Sequence, residues 1–327
     1  MQQRQLGHGG PMVSAIGLGC LSFGGIFGET TREDSLRCLD AAWDHGITFF
    51  DTANIYGNGV SEDVLGEWLR TRRRPAIIAT KASIVGGPNR RIDNSEGHLR
   101  SELEGSLRRI GVENVALFYI HRHEEARPIE EVATTLAALV TEGKIGGYGM
   151  SEIAPYTLRR AHAVHPCRAV QNEYSLWTRQ AELGLIQACA DLGTAFVPFS
   201  PLARGALGHT MLDPFTLPEA EFRRQIPRFS SENWPRNRTM IDGFRGFAAD
   251  LRVSPAALAL AWVLDQGSHL IPIPGTRTAD HLMDWITASD IALTPDLRDA
   301  IARLLPVGWA YGDRYNHEQA GPVERYC

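Results

Sequence analysis

Short apolar runs alternate with longer stretches in which apolar residues recur every three or four positions, almost from one end of the chain to the other. The apolar runs predict strands: AIGLG (15–19), ITFF (47–50), AIIAT (76–80), VALFY (115–119), IGGYGM (145–150), RAVQN (168–172), TAFVPF (194–199) and HLIPI (269–273). The periodic stretches predict helices over Arg32–Asp44, Ser61–Arg70, Ser95–Arg109, Ile129–Glu142, Pro155–Ala163 and Gln180–Asp191. A further helix is announced by Ser254-Pro255, an N-cap followed by proline at the first position, and runs to Gln266. Gln3–Leu6 and Met12–Ser14, joined through GHGG, predict an N-terminal β-hairpin.

Eight strand–helix units predict an α/β fold, a (β/α)8 TIM barrel forming one domain over residues 1–327. A doubly wound sheet is the alternative, but GLGCLSFGG after the first strand lacks the GxGxxG spacing that fold uses. Residues 204–252 break the rhythm: the connection after the seventh strand is far longer than an ordinary βα loop. Its aromatic residues Phe215, Phe222, Phe229 and Trp234 suggest a lid or substrate wall. The tail from Pro306 to Cys327, with Trp309, Tyr311 and Tyr315, has no helical period; it is either a similar wall or a segment packed on the barrel.

Composition narrows the class. The 327 residues carry a net charge of −5, which gives no support for nucleic acid or an anionic membrane as partner. The cysteines Cys20, Cys38, Cys167, Cys189 and Cys327 are odd in number and widely spaced, which fits a reducing cytoplasm better than a disulfide framework. MQQRQLGHGG has no signal-peptide apolar region, and AALALAWVL (256–264) is too short to span a bilayer. The cluster Arg70, Arg72, Arg73, Arg74 before Pro75 suits a helix C-terminus, where cations complement the dipole.

Chemistry concentrates at strand ends. Asp51, Lys81 and His121 each follow an apolar run, and Tyr56 lies in the loop DTANIYG. In a parallel barrel all four emerge at the C-terminal face, where such barrels place their chemistry. A free tyrosine holds its proton up to a pKa of about 10; a nearby ammonium favours the phenolate and lowers that value. Asp51 can hold Lys81 charged, Tyr56 can give a proton to a carbonyl oxygen, and His121 can donate a second hydrogen bond. Nothing in the set attacks carbon, so the electron pair must arrive as hydride from a nicotinamide.

The strings FFDTANIYGNGVSEDVLGEWL (49–69), IATKAS (78–83) and LFYIHRHE (117–124) resemble the signature regions of the aldo-keto reductase superfamily. GMSEIAPYTLRRAHAVHP and YSLWTR resemble the branch with plant auxin-induced-type and related bacterial reductases. The resemblance implies a (β/α)8 barrel and NAD(P)H-dependent reduction of aldehydes or ketones, with NADP(H) favoured over NAD(H). It implies that Tyr56 is the general acid, Lys81 and Asp51 its tuning pair, and His121 the substrate-orienting donor. It also implies that Ser151 and Gln171 bond the nicotinamide carboxamide and Phe199 stacks on its ring. Ser200, Leu202, Arg204 and Gly205 match the pyrophosphate loop, Gly275, Thr276 and Arg277 the grip on the adenosine 2′-phosphate, and Asp284 an adenine contact.

Three positions depart from the wider pattern: Glu152 stands where asparagine is common, Trp285 where an amide is, and Glu124 where aspartate is. The first leaves the carboxamide to Ser151 and Gln171, the second removes an adenine contact, and the third is expected to affect loop geometry only. Three other functions are weighed. Oxidation of a sugar or pyridoxine-like alcohol would use the same groups in reverse. A cofactor-sensing binding protein, like the potassium-channel β-subunits of the superfamily, would share the fold. A metal-dependent hydrolase would use His121-x-His123, but that pair belongs after a first strand and lacks further ligands, so no metal is expected. The expected partner is a small carbonyl or alcohol substrate, with Phe23, Phe27 and Trp177 either in its pocket or packed with the other aromatics of the loop and tail; oligomeric state has no sequence signal.

Overall fold

In the computed structural model, which describes residues 1–87 and 90–325, seven parallel strands form one curled sheet. The strands are β1 (Gln3–Gln5), β2 (Met12–Ser14), β3 (Leu18–Gly19), β4 (Phe49–Asp51), β5 (Ile77–Ala82), β6 (Ile84–Val85), β7 (Arg91–Ile92), β8 (Leu117–Ile120), β9 (Tyr148–Ser151), β10 (Ala169–Gln171) and β11 (Ala195–Phe196). The curled sheet runs in the order β11-β10-β9-β8-β5-β4-β3, while β1–β2 and β6–β7 are separate antiparallel hairpins.

The eighth run is not a regular strand. Pro272 and Pro274 have no N–H to give to a ladder. Their carbonyls still accept from Gly17 N (2.9 Å) and Gly19 N (3.0 Å) on one side. On the other side Ile271 N donates to Phe196 O (2.8 Å) and Ile273 N to Pro198 O (3.0 Å). Residues 270–275 thus bridge the two edges of the sheet, with parallel bridges Phe196–Leu270 and Gly19–Gly275.

Helices α1 (Arg32–Asp44), α2 (Val60–Arg72), α3 (Glu96–Ile110), α4 (Ile129–Thr141), α5 (Pro155–Val164) and α6 (Leu185–Leu192) connect the strands. They are followed by α7 (Trp234–Asp250), α8 (Pro255–Asp265), α9 (Ala279–Met283), α10 (Pro295–Leu304) and α11 (His317–Ala320). Side-chain caps start several of them: Thr31 accepts from Asp34 N at α1, Ser95 from His98 N at α3, and Ser254 from Ala256 N at α8. The predicted helix over 180–191 begins late, because Gly184 takes φ +114° and separates a 3-10 turn at Gln180–Glu182 from α6. The long connection after β11 is not structureless; it holds several 3-10 turns and then α7. In the arginine cluster, Arg72 and Arg74 reach back from the end of α2 to Asp40 and Asp44.

Alternation of side chains along each strand makes two cores. Phe50, Ile78, Phe118, Ile120, Val170 and Phe196 face outward into the helices. Phe49, Ala79, Leu117, Tyr119, Ala169 and Val197 face inward and pack together, and Leu6 and Val13 of the hairpin join that inner cluster. Inner space is tight. A Cβ on Gly149 would stand 2.5 Å from the Tyr119 ring and 2.8 Å from Ala169 O. Gly149→Ala should therefore lower stability by about 1–3 kcal/mol through overpacking, seen as an earlier midpoint in chemical unfolding; an unchanged midpoint would show that the ring moves aside freely.

Among the described residues, no single helix is long and apolar enough to cross a membrane. Cys20, Cys38, Cys167 and Cys189 are buried and unpaired, and Cys327 lies outside the described residues.

Candidate active site

The inner alternation continues one step past the apolar layers and there turns polar at every strand but the last, which ends in Phe199. Phe49 is followed two residues on by Asp51, Ala79 by Lys81, Tyr119 by His121, Gly149 by Ser151, Ala169 by Gln171 and Val197 by Phe199. Strand register sets these ends side by side: Asp51 pairs with Ala79, Lys81 with Tyr119, and Gln171 with Ser151.

Lys81 is fully buried and its Nζ donates to Asp51 Oδ1, to Thr52 O (2.8 Å) and to Tyr56 Oη (3.4 Å). Burial alone would discharge the ammonium, but Asp51 and Tyr56 outweigh it and hold the lysine pKa above its ordinary value. Burial pushes Asp51 up by more than Lys81 and Gln171 pull it down. Tyr56 also ends above its ordinary value, because burial exceeds the pull of Lys81, and Asp51 cancels part of that pull. The expected net lowering of this tyrosine is therefore not found; Tyr56 is a group that keeps its proton.

His121 is buried, its ring meeting Tyr56 edge-on at 5.7 Å between centroids. Burial, followed by Arg122, Lys81 and Arg90, drives its pKa well down, so the imidazole is neutral and can donate a hydrogen bond without carrying charge. Its Nδ1 is buried with no hydrogen-bond partner. His123, the other half of the HxH pair, is engaged elsewhere, with Glu324 Oε1 at 2.5 Å and Arg127 O at 3.2 Å.

The residues expected around a dinucleotide are distributed less simply. Gln171 Nε2 donates to Asp51 Oδ2 (2.9 Å), and Ser151 Oγ accepts from Arg122 Nη1 (3.3 Å). Phe199 is half-buried at the barrel mouth. Beyond it Ser200, Ala203, Arg204 and Gly205 all have positive φ, a costly run for non-glycine residues that marks a backbone concavity. Leu202 is partly buried against the core. Arg204 is not free in this loop: it turns inward to Glu173 Oε2 (2.8 Å) and lies over the Tyr315 ring at 4.7 Å. Its Nη1 is buried and unpartnered. Thr276 is buried with its hydroxyl on Thr278 O (3.1 Å), so it is occupied in a local turn. Arg277 Nη1 donates to Glu29 O (3.2 Å), Gly275 lies exposed beside Gly19, and Asp284 ends α9. Trp285 is turned into the core.

One buried network was not legible beforehand. Glu152, at φ +57°, accepts from Glu173 N (2.9 Å) and Arg314 Nη2 (2.5 Å). Glu173 accepts from Arg204, from Arg314 Nη1 (3.2 Å) and from Thr178 Oγ1 (2.9 Å). Glu173 continues the inward alternation after Gln171, a signal that could have found it; Arg314 lies in the periodless tail and gave none. Burial would raise the Glu173 carboxyl, but Arg204, Arg314 and Arg228 outweigh it and bring it down to about 2. A depressed carboxylate stabilises the fold above its unfolded value of about 4.3 and loses that stabilisation as pH falls toward its folded value. Unfolding free energy should therefore drop between about pH 4.5 and 2, and Glu173→Gln should flatten that limb while weakening the fold at neutral pH. An unchanged acid limb would remove Glu173 from the explanation.

Most of the aromatics take the packed alternative. Trp177 stacks on Phe229 at 5.6 Å and meets Trp309 at 5.3 Å, and all three are buried. Phe23 is buried as well, whereas half-buried Phe27 meets Phe222 of the long connection at 6.3 Å. Glu124 does shape its loop, accepting from Asn94 N (2.7 Å) and Arg127 Nε (2.9 Å).

The sequence pattern described as the aldo/keto reductase family matches residues 15–305. A probable aldo-keto reductase 1 of Glycine max is 40% identical over 320 residues, covering 96% of this chain and 92% of that protein. The NADP(+)-designated aldo-keto reductase yakc of Schizosaccharomyces pombe is 33% identical over 315 residues, covering 93% of each. The solved structure of a glycerol dehydrogenase from Gluconobacter oxydans superposes with a TM-score of 0.85 at 29% identity, covering 93% of this chain and 94% of that one.

Proposed function

The chain is an oxidoreductase of the aldo/keto reductase family, and from that membership and the site geometry we propose that it reduces aldehydes or ketones to alcohols with Tyr56 as the proton donor. The observation that carries the reading is the buried Asp51–Lys81–Tyr56 chain beside a neutral His121. A reduced nicotinamide supplies the hydride when bound. As charge develops on the substrate oxygen, Tyr56 Oη gives it a proton, Lys81 stabilises the resulting phenolate, and Asp51 holds Lys81 in place. His121 orients the same oxygen. Two of the buried polar atoms left without a partner, His121 Nδ1 and Arg204 Nη1, and the concave backbone of residues 200–205 fit a ligand across this face.

Ser151, Gln171 and Phe199 would hold the nicotinamide end of such a cofactor, and Ser200, Leu202, Arg204 and Gly205 its phosphates. Gly275, Thr276, Arg277 and Asp284 would meet the adenosine end. NADP(H) is favoured over NAD(H): Arg277 offers a cation there, and the fission yeast relative carries NADP(+) in its name. In this reading the chain is one domain working in the cytoplasm on a small molecule, with its described cysteines unpaired. A second reading, alcohol oxidation in the reverse direction, is favoured by the likeness to a glycerol dehydrogenase. A panel of carbonyls with NADPH and NADH, and of alcohols with the oxidised forms, tests both. Turnover of neither panel by the folded protein would sink the enzyme reading and leave the cofactor-sensing one.

A further inference from the structure

Arginines crowd the catalytic face, and most are neutralised there. Arg204 and Arg314 are tied to Glu173 and Glu152, and Arg223 to Glu221. Arg122 is different. Its Nη1 donates to His121 O (2.6 Å) and to Ser151 Oγ (3.3 Å), and these neutral acceptors are its only hydrogen-bond partners among the described residues. The two bonds fix a half-buried guanidinium between the ends of β8 and β9, immediately beside His121. Its charge is felt by Tyr56, His121 and Tyr315. Lys81 is paired with Asp51, yet it and Arg90 join Arg122 as positive influences on His121. Every charge that acts on His121 is thus positive, in a protein whose overall charge is −5.

We infer that Arg122 is a substrate-recognition residue, and that the preferred carbonyl substrates carry an anionic group, a carboxylate or a phosphate, near the reacting carbon. A rigid guanidinium fork with unused donors recognises both groups through the same paired hydrogen bonds. This inference rests on the reductase reading above.

Matched pairs test it. 4-Carboxybenzaldehyde is compared with its methyl ester, and glyceraldehyde 3-phosphate with glyceraldehyde, in the wild type, Arg122→Gln and Arg122→Lys. The wild type should favour the charged member of at least one pair in kcat/KM by about tenfold or more, the worth of one charge-assisted hydrogen bond. Which pair responds says whether carboxylate or phosphate is the group recognised. In Arg122→Gln the ratio should collapse toward one, mainly through KM, and Arg122→Lys should restore part of it. Benzoate, an unreactive carboxylate, should bind the wild type in calorimetry and lose that binding in Arg122→Gln, a readout independent of turnover. A wild-type ratio near one in both pairs, or a ratio unchanged in Arg122→Gln, overturns the inference. So does an equal fall for both members of a pair, which would make Arg122 only a support for Ser151 and the His121 loop. Failure to turn over even the neutral aldehydes would instead count against the reductase reading.

Discussion

Tyr56→Phe is expected to lower carbonyl reduction by about 10²–10⁴-fold while leaving cofactor binding close to that of the wild type. The ring survives the substitution, so its edge contact with His121 and its place over Lys81 Nζ, 5.1 Å from the ring centroid, are kept. What is lost is the hydroxyl that accepts from Lys81 Nζ and, with it, the proton to be donated. The raised pKa adds a pH prediction. Burial keeps Tyr56 protonated above its ordinary value of about 10, so an acid role should persist through neutral and mildly alkaline pH. The reduction rate should fall only beyond that point, and the variant should lack the fall. Wild-type kcat in Tyr56→Phe, with cofactor binding confirmed by fluorescence, would take the proton away from Tyr56 and require another donor.

Lys81→Met should destabilise the protein by about 3–5 kcal/mol at neutral pH, as well as removing activity. The lysine is 0% and the Asp51 side chain 2% exposed, so deleting the cation strands a carboxylate that water cannot reach. Lys81's own pKa is raised in the fold, so its stabilisation is whole below about pH 10.4 and is lost only as pH rises through the folded value. Asp51 works in the other direction. Its folded pKa is raised, so its ionised form costs stability above the unfolded value of about 3.9, and that cost disappears as the carboxyl protonates. Without Lys81 the cost grows. The gap between variant and wild type should therefore narrow as pH is lowered from 7 toward 4. Asp51→Asn combined with Lys81→Met should recover much of the loss, since neither charge then remains buried. Chemical unfolding of the two single variants and the double variant decides it; strictly additive losses would mean that the pair is not coupled.

Much of the site was legible because it obeys the same rule as the strands. Each inward position of a strand is two residues from the next, so a polar residue two beyond a buried one must lie at the mouth of the barrel. Asp51, Lys81, His121, Ser151 and Gln171 follow that rule, and so does Glu173, which the resemblance did not single out. Where the rule stopped, so did the reading. Gln171 lies on Asp51 and Arg204 on Glu173, partners that the sequence did not announce. Trp177, weighed for the pocket or for packing, lies in the core with Trp309. In each case the partner comes from a segment remote in sequence, and no local period encodes it.

The chain by itself determined the strand and helix series, the face on which the polar residues gather and the kind of reaction they can support. These follow from local periodicity and from side-chain chemistry, which a sequence contains in full. Only the tertiary structure decided the protonation of that chemistry and its surroundings. Tyr56 ended as a firm acid because burial outweighed the lysine beside it, a balance set by how much water the packed barrel excludes. The tail from residue 306 became part of the catalytic face because Arg314 found two buried glutamates, Glu152 and Glu173. Among the described residues no carboxylate was brought to Arg122, whose partners are His121 O and Ser151 Oγ. Long-range pairing of charges is a property of the closed barrel, and it exists only once the strands have met.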